Sequence, residues 1–309
     1  MELKAIRDGI GEALVELGKR DDRVVVLTAD VKESVRVERF AQVFPERFIE
    51  CGVAEQNMMG IAAGLAAAGK IPFVCAYAVF SPGRSWDQLR VAVCYSNLPV
   101  KIIGAHTGLS VGPDGATHQA LEDIAITRVL PNMTVWVPAD FEQAKKMVEE
   151  SVQLPGPVYI RSVREKTPLI SIRNPEPDAK VKKKVAIIGC GPILNECVEA
   201  ANELAKEGVW VQVINCSRIK PMDKELMVEV AKNCQAVVTA EDHQIAGGMG
   251  SAVAEVLAQY CPVPLEFVGV DDSFGESGTP DELAEKYGLK ATNIIDSVRK
   301  VLLRKSEWS

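Results

Sequence analysis

An α/β protein of two doubly wound domains, a parallel sheet covered by helices and then a smaller unit of the same kind, is the architecture this sequence predicts. Three observations predict it. Short β-branched runs alternate with stretches whose apolar residues recur at three-and-four spacing. The alternation breaks once, over a polar, proline-bearing stretch from Glu165 to Lys184. It then resumes to the end of the chain.

Ile6, Ile10, Ala13, Leu14 and Leu17 mark one face of a first helix, ahead of a first strand at Val24-Val25-Val26-Leu27. Further strands are expected at Phe73-Val74-Cys75-Ala76, Lys101-Ile102-Ile103-Gly104, Thr134-Val135-Trp136-Val137 and Val158-Tyr159-Ile160. Their apolar character is nearly unbroken, which suits a parallel sheet buried on both faces. In the second half the strands are Val185-Ala186-Ile187-Ile188, Val209 to Ile214, Ala236-Val237-Val238-Thr239 and Leu265-Glu266-Phe267-Val268. Helices are expected at Glu196 to Lys206, Ser251 to Gln259 and Ile294 to Leu303, with Lys305 to Ser309 frayed. The predicted domains are residues 1–165 and 185–309, joined by a linker over 166–184.

With 309 residues, 47% hydrophobic and 25% charged, the chain can fill two ordinary cores. A net charge of −7 at pH 7 argues against a general nucleic-acid binder, since phosphates along a duplex need surplus Lys and Arg. Small phosphorylated substrates need only a few local cations. The N-terminus mixes charges at helical spacing and has no apolar signal-peptide core, so a cytoplasmic location is expected. No run approaches the roughly 20 apolar residues of a membrane span, so no membrane partner is expected. The eight cysteines are scattered without metal-ligand spacing and read as reduced, buried thiols, with no metal held by this chain.

Two segments carry candidate chemistry. The run Glu50 to Leu65 sets Glu55 at the head of a small-residue helix that looks buried. A buried carboxylate is costly unless something uses it, although a helix N-terminus also favours negative charge for structural reasons alone. The run Ala105 to Gln119 follows a strand and therefore lies at its carboxyl end, where open α/β sheets bind ligands. It holds His106, Asp114 and His118 with three glycines between the histidines, a composition suited to a polar loop that closely approaches a substrate.

Gly-Val-Ala-Glu-Gln-Asn-Met over 52–58, Tyr77-Ala78-Val79-Phe80, and the Gly112-Pro113-Asp114-Gly115-Ala116-Thr117-His118 loop, in this order, resemble the pyrimidine-binding domain of transketolase. Residues 185–309 resemble that family's C-terminal domain. The resemblance implies thiamine diphosphate as cofactor, with Glu55 bonding N1′ of its aminopyrimidine so that the 4′-imino group can take the thiazolium C2 proton. An unpaired Glu55 in a dry pocket would have a raised pKa. Phe80 is implied to stack on the pyrimidine, with Tyr77 beside it on the cofactor side. His106 and His118 are implied to contact the sugars where protons move, and Asp114 to recognise the C2 hydroxyl. Arg7, Ser34 and Arg161 match contacts to the acceptor phosphate.

The family holds the diphosphate through Mg2+ or Ca2+ on a Gly-Asp-Gly motif, and no Gly-Asp-Gly occurs in this chain. The resemblance therefore implies an N-terminal transketolase subunit as partner, bearing that motif and most of the metal ligands, in an α2β2 assembly acting on sugar phosphates. A large apolar interface is expected near Gly52 to Gly64. Ketol transfer is the leading activity. The beta subunit of a 2-oxo-acid dehydrogenase first component, a deoxyxylulose-phosphate synthase and an inactive scaffold subunit are the competing readings. Gly189-Cys190-Gly191-Pro192 lacks the third glycine of a dinucleotide fingerprint, and Gly247-Gly248-Met249-Gly250 is read as a closely packed helix start.

Overall fold

The computed structural model describes residues 3–176, 181 and 183–308, so 177–180 and 182 of the expected linker lie outside the described residues. In chain order the elements are β1 (Leu3–Ala5), α1 (Ile6–Arg20), β2 (Val24–Thr28), α2 (Glu38–Val43), β3 (Phe48–Glu50), α3 (Glu55–Ala67), β4 (Ile71–Tyr77) and α4 (Trp86–Gln88), which runs on as a wider π-turn helix over Leu89–Tyr95. Then come β5 (Lys101–Ala105), a 3-10 segment (Leu109–Asp114), α5 (Asp123–Arg128), β6 (Thr134–Trp136), α6 (Phe141–Ser151), β7 (Val158–Ser162) and β8 (Lys166–Pro168). The second half holds β9 (Lys184–Gly189), α7 (Leu194–Lys206), β10 (Trp210–Asn215), β11 (Arg218–Lys220), α8 (Lys224–Cys234), β12 (Val237–Gln244), α9 (Met249–Tyr260), β13 (Leu265–Val270), α10 (Pro280–Lys286) and α11 (Ala291–Trp308).

Seven strands form the larger sheet in the order β11-β6-β7-β5-β4-β2-β3, parallel except for β11. Alternate residues of each strand face opposite layers. Val24, Val26, Phe73, Cys75, Ile103 and Ile160 pack with α1 and α6, whereas Val25, Leu27, Val74 and Ile102 pack with Met58, Met59 and Ala62 of α3. Burial on both faces explains why these strands read as unbroken apolar runs. The smaller sheet is parallel, in the order β10-β9-β12-β13.

The two halves share more than a linker. The linker opens with β8, which pairs antiparallel with β1. Strand β11 of the second half joins the first sheet alongside β6. One core runs from Val25 and Met58 through Ile188, Val230 and Val253, so both halves bury apolar surface against each other. Helix α11 runs to Trp308, through most of the stretch from Lys305 expected to fray, and Ser309 lies outside the described residues. Among the described residues no helix is long and apolar enough to cross a membrane.

Candidate active site

Four neighbouring parallel strands, β7, β5, β4 and β2, end on the same edge of the larger sheet, and the loops that leave them carry the candidate residues. After β4 come Phe80 and Arg84. After β5 comes the segment from His106 to His118, and after β7 comes Arg164. The loop after β2 carries Ser34 and Arg36. It can lie against α1 because position 11 is glycine: a Cβ there would sit 2.4 Å from the Arg36 carbonyl oxygen.

An aromatic cluster organises this edge. The Tyr77 and His106 rings stack at 4.2 Å, and Tyr77 and Phe80 lie 6.4 Å apart in near-parallel planes. His118 meets Phe80 edge-on at 5.3 Å and Tyr77 at 6.0 Å. The Thr117 hydroxyl lies 2.9 Å from His118 Nδ1. The structure thus brings Tyr77, Phe80, His106 and His118 into one cluster.

His106 is 2% exposed, and its pKa is pushed down to about 3, by burial first and then by the charges of Arg7, Arg164, Arg36 and His118. The imidazole is therefore neutral near pH 7. Arg7 Nη1 sits at 3.5 Å from Nε2, and since a guanidinium can only donate, that nitrogen is the acceptor. The proton then belongs on Nδ1, which is buried and has no hydrogen-bond partner. An unpaired buried donor at a ligand edge is what a hydroxyl or carbonyl of a bound molecule would satisfy.

Glu55 begins α3, is 4% exposed, and accepts from Arg84 Nη1 through both carboxylate oxygens at 3.1 and 3.2 Å. The carboxylate is therefore paired, with Arg84 as its ionic partner. Arg84 is itself half exposed and lies over Phe80, with Cζ 4.3 Å from the ring centroid. Its guanidinium, a planar nitrogen donor on an aromatic face and bonded to a buried carboxylate, shows what this cradle accepts. An aminopyrimidine is likewise flat and edged with nitrogens, and its face can stack on an aromatic ring while a ring nitrogen bonds a carboxyl group, so Glu55 and Phe80 fit that group.

Asp114 is exposed and pairs with Arg164 Nη1 at 3.4 Å, while the same nitrogen donates to the Val111 carbonyl at 3.1 Å. Arg7, Arg36 and Arg164 all bear on His106 electrostatically, and among the described residues Asp8, bonded to Arg36 at 2.8 Å, and Asp114 pair with them directly, with Glu165 acting on Arg7 from further off. That surplus suits an anion. Ser34 lies beside it, with its carbonyl accepting from Arg7 Nη1 at 3.1 Å.

Arg161 does not belong to this group. It is 3% exposed and bonded to Asp123 at 2.9 and 3.1 Å, to the Asp242 carbonyl at 2.8 Å and to the Ala120 carbonyl at 3.3 Å. The Tyr159 hydroxyl donates to the same Asp123 carboxylate at 2.7 Å. Its Nε and Nη2 donors turn to the interior of the fold, so the structure does not bring Arg161 into the group of Arg7, Arg36 and Arg164 around His106. Arg164 lies at the ligand edge instead, beside Asp114. The available signal was position: Arg161 lies inside a buried strand, whereas Arg164 lies two residues beyond its carboxyl end. Arg84 was also missed, and only its place four residues after Phe80 pointed to it. Among the described residues, no group of three His, Cys, Asp or Glu side chains could hold a metal ion.

Comparison with known proteins agrees with this geometry. The family model for the transketolase pyrimidine-binding domain matches residues 3–169, and that for the transketolase C-terminal domain matches residues 177–294. A 6-deoxy-6-sulfo-D-fructose transketolase subunit from Clostridium sp. (strain MSTE9) is 41% identical, covering 97% of this chain and 95% of that one. Transketolase of Rattus norvegicus is 36% identical over 97% of this chain but only 49% of its own length. A solved structure described as a split gene transketolase, an inactive beta4 tetramer, superimposes with a TM-score of 0.88 at 47% identity, covering 98% of this chain and 99% of that one. The chain belongs to the transketolase family and corresponds to its pyrimidine-binding and C-terminal portions.

Proposed function

We propose that this chain is the C-terminal subunit of a split, thiamine-diphosphate-dependent transketolase that moves a two-carbon ketol unit from a ketose phosphate to an aldose phosphate in the cytoplasm, as in pentose phosphate metabolism. The observation that carries the reading is Glu55, buried at a ligand edge and already holding a flat nitrogen donor against Phe80. Glu55, Phe80 and Tyr77 would hold the aminopyrimidine, and Arg84 would withdraw from between them. When bound, thiamine diphosphate supplies the nucleophilic carbon that takes up the ketol unit. His106, with Nδ1–H free, donates to a sugar oxygen, and His118 moves a proton at a neighbouring hydroxyl. Asp114 orients the C2 hydroxyl, which a plain 2-oxo acid lacks. Arg7, Arg164 and Ser34 receive the acceptor phosphate.

A partner chain with a Gly-Asp-Gly motif would hold the diphosphate and Mg2+ or Ca2+, in an α2β2 heterotetramer. The outer face of α3 supports this, since a Cβ at Gly60 or Gly64 would meet open space and Val53 is 71% exposed. Next to α3, Val91 and Tyr95 are also exposed. A face with Val53, Gly60, Gly64, Val91 and Tyr95 exposed together, with Gln56 and Asn57 at one end, calls for cover by another chain. That a relative's tetramer of this subunit alone is described as inactive supports a site completed by a second chain.

Co-expression with such a partner and a coupled transfer assay test the proposal. Ketose-to-aldose transfer that requires both chains, thiamine diphosphate and Mg2+ is expected. Oxidative decarboxylation of a 2-oxo acid in place of transfer would overturn it.

A further inference from the structure

The second half of the chain packs against the loop of the candidate site that runs from Gly108 to Gln119. Asp242, at the end of β12, accepts from the backbone N–H of Leu109 through Oδ1 at 3.0 Å, at the first residue of the 3-10 segment that ends in Asp114. Position 108 is shaped for this contact. A Cβ on Gly108 would lie 1.9 Å from Asp242 Oδ2, and its φ of +69 is one that other residues rarely adopt. Neighbours of Asp242 fix the turn that presents it: the Gln244 N–H donates to the Leu121 carbonyl at 2.9 Å, and Arg161 donates to the Asp242 carbonyl at 2.8 Å. The far side of the same loop is also braced by the second half, where Gln119 Nε2 donates to the Glu276 carbonyl at 3.0 Å.

We propose that Asp242 is a positioning residue: its carboxylate sets the backbone of the 108–115 loop, and through it the place of Asp114, so that the C-terminal half tunes substrate recognition without touching substrate. The Leu109 N–H is otherwise a helix-start donor with no partner in its own segment. A charged acceptor there holds it more strongly than a neutral one. The kinetic consequence rests on the ketol-transfer reading, whereas the structural consequence does not.

The test measures hydrogen–deuterium exchange of the full chain in complex with its partner, over peptides spanning 106–119, together with KM and kcat for the aldose phosphate. Asp242→Ala is expected to speed exchange in 108–115 about tenfold, the loss of one charge-assisted bond, and to raise KM by a similar factor with kcat little changed. Asp242→Asn, which retains an acceptor oxygen but not the charge, is expected to recover most of both. Unchanged exchange in Asp242→Ala overturns the proposal, as does faster exchange spread evenly over the chain or a fall in kcat at constant KM. If the unaltered pair transfers no ketol unit, that failure belongs to the proposed activity, and the exchange measurement alone still decides the role of Asp242.

Discussion

Replacing Glu55 by glutamine separates catalysis from folding. The carboxylate is 4% exposed, and its one direct ionic partner, Arg84, is 53% exposed, so water screens the pair from one side. Such a pair contributes on the order of 1 kcal/mol or less. A glutamine oxygen can still accept from Arg84, so Tm should fall by no more than about 2–4 °C for a chain of this size. A group that positions a proton in the reacting system is worth about 10²- to 10⁴-fold in rate, or about 3–5 kcal/mol. The assay is coupled ketol transfer by the reconstituted pair, alongside thermal unfolding of the same sample. Turnover of Glu55→Gln within about threefold of the unaltered pair would refute the reasoning. So would a stability loss large enough to explain the missing activity.

Arg164→Gln should raise KM for the aldose phosphate about ten- to hundredfold, the loss of one charge-assisted bond to phosphate. Arg161→Gln should instead destabilise the chain by about 3–5 kcal/mol in urea unfolding, because it strands Asp123 in the interior; the opposite pattern would restore Arg161 as a substrate contact. His106 gives a pH prediction. The unfolded chain takes up this proton as pH falls through 6.5, but the folded chain resists until about 3, so the stability it confers is complete above 6.5 and lost on acidification. Urea midpoints of His106→Gln should therefore decline less steeply over that window, only in part because His243, held down at about 4 chiefly by burial, titrates there too; an unaltered decline would contradict the buried neutral imidazole. Gly64→Leu should leave the circular dichroism of the lone chain unchanged, since its Cβ meets open space, yet weaken association with the partner at least about tenfold in sedimentation, the cost of a misfit at a packed interface. Unimpaired assembly would place the partner elsewhere.

The long strands were legible because both faces are buried: Val24 to Leu27, Lys101 to Gly104 and Val185 to Ile188 each lie within a residue or two of the observed bounds. Of the three-residue strands, β1, β3, β8 and β11 were not, since three residues cannot display a period, whereas β6 was legible from the β-branched and aromatic run Thr134-Val135-Trp136-Val137. Nor could Arg218-Ile219-Lys220 reveal that it pairs with the sheet of the other half, because strand partners are chosen by tertiary contacts. The aromatic and histidine cluster was readable from motif order. Arg161 and Arg164 show where that reading stops. They stand three residues apart, and only the end of β7 decides which faces the ligand edge and which turns to Asp123. The contact between Asp242 and Leu109 joins positions 133 residues apart and leaves no local trace beyond a glycine at 108.

The central claim is that this chain holds one side of a cofactor site and another chain holds the other. Calorimetric titration of thiamine diphosphate with Mg2+ into this chain, the partner and the reconstituted pair tests it most directly. One tight site per pair, weakened in the Glu55→Gln pair, is expected, with affinity at least about a hundredfold lower for either chain alone because half of the contacts are missing. Equal affinity of the lone chain and the pair would contradict it.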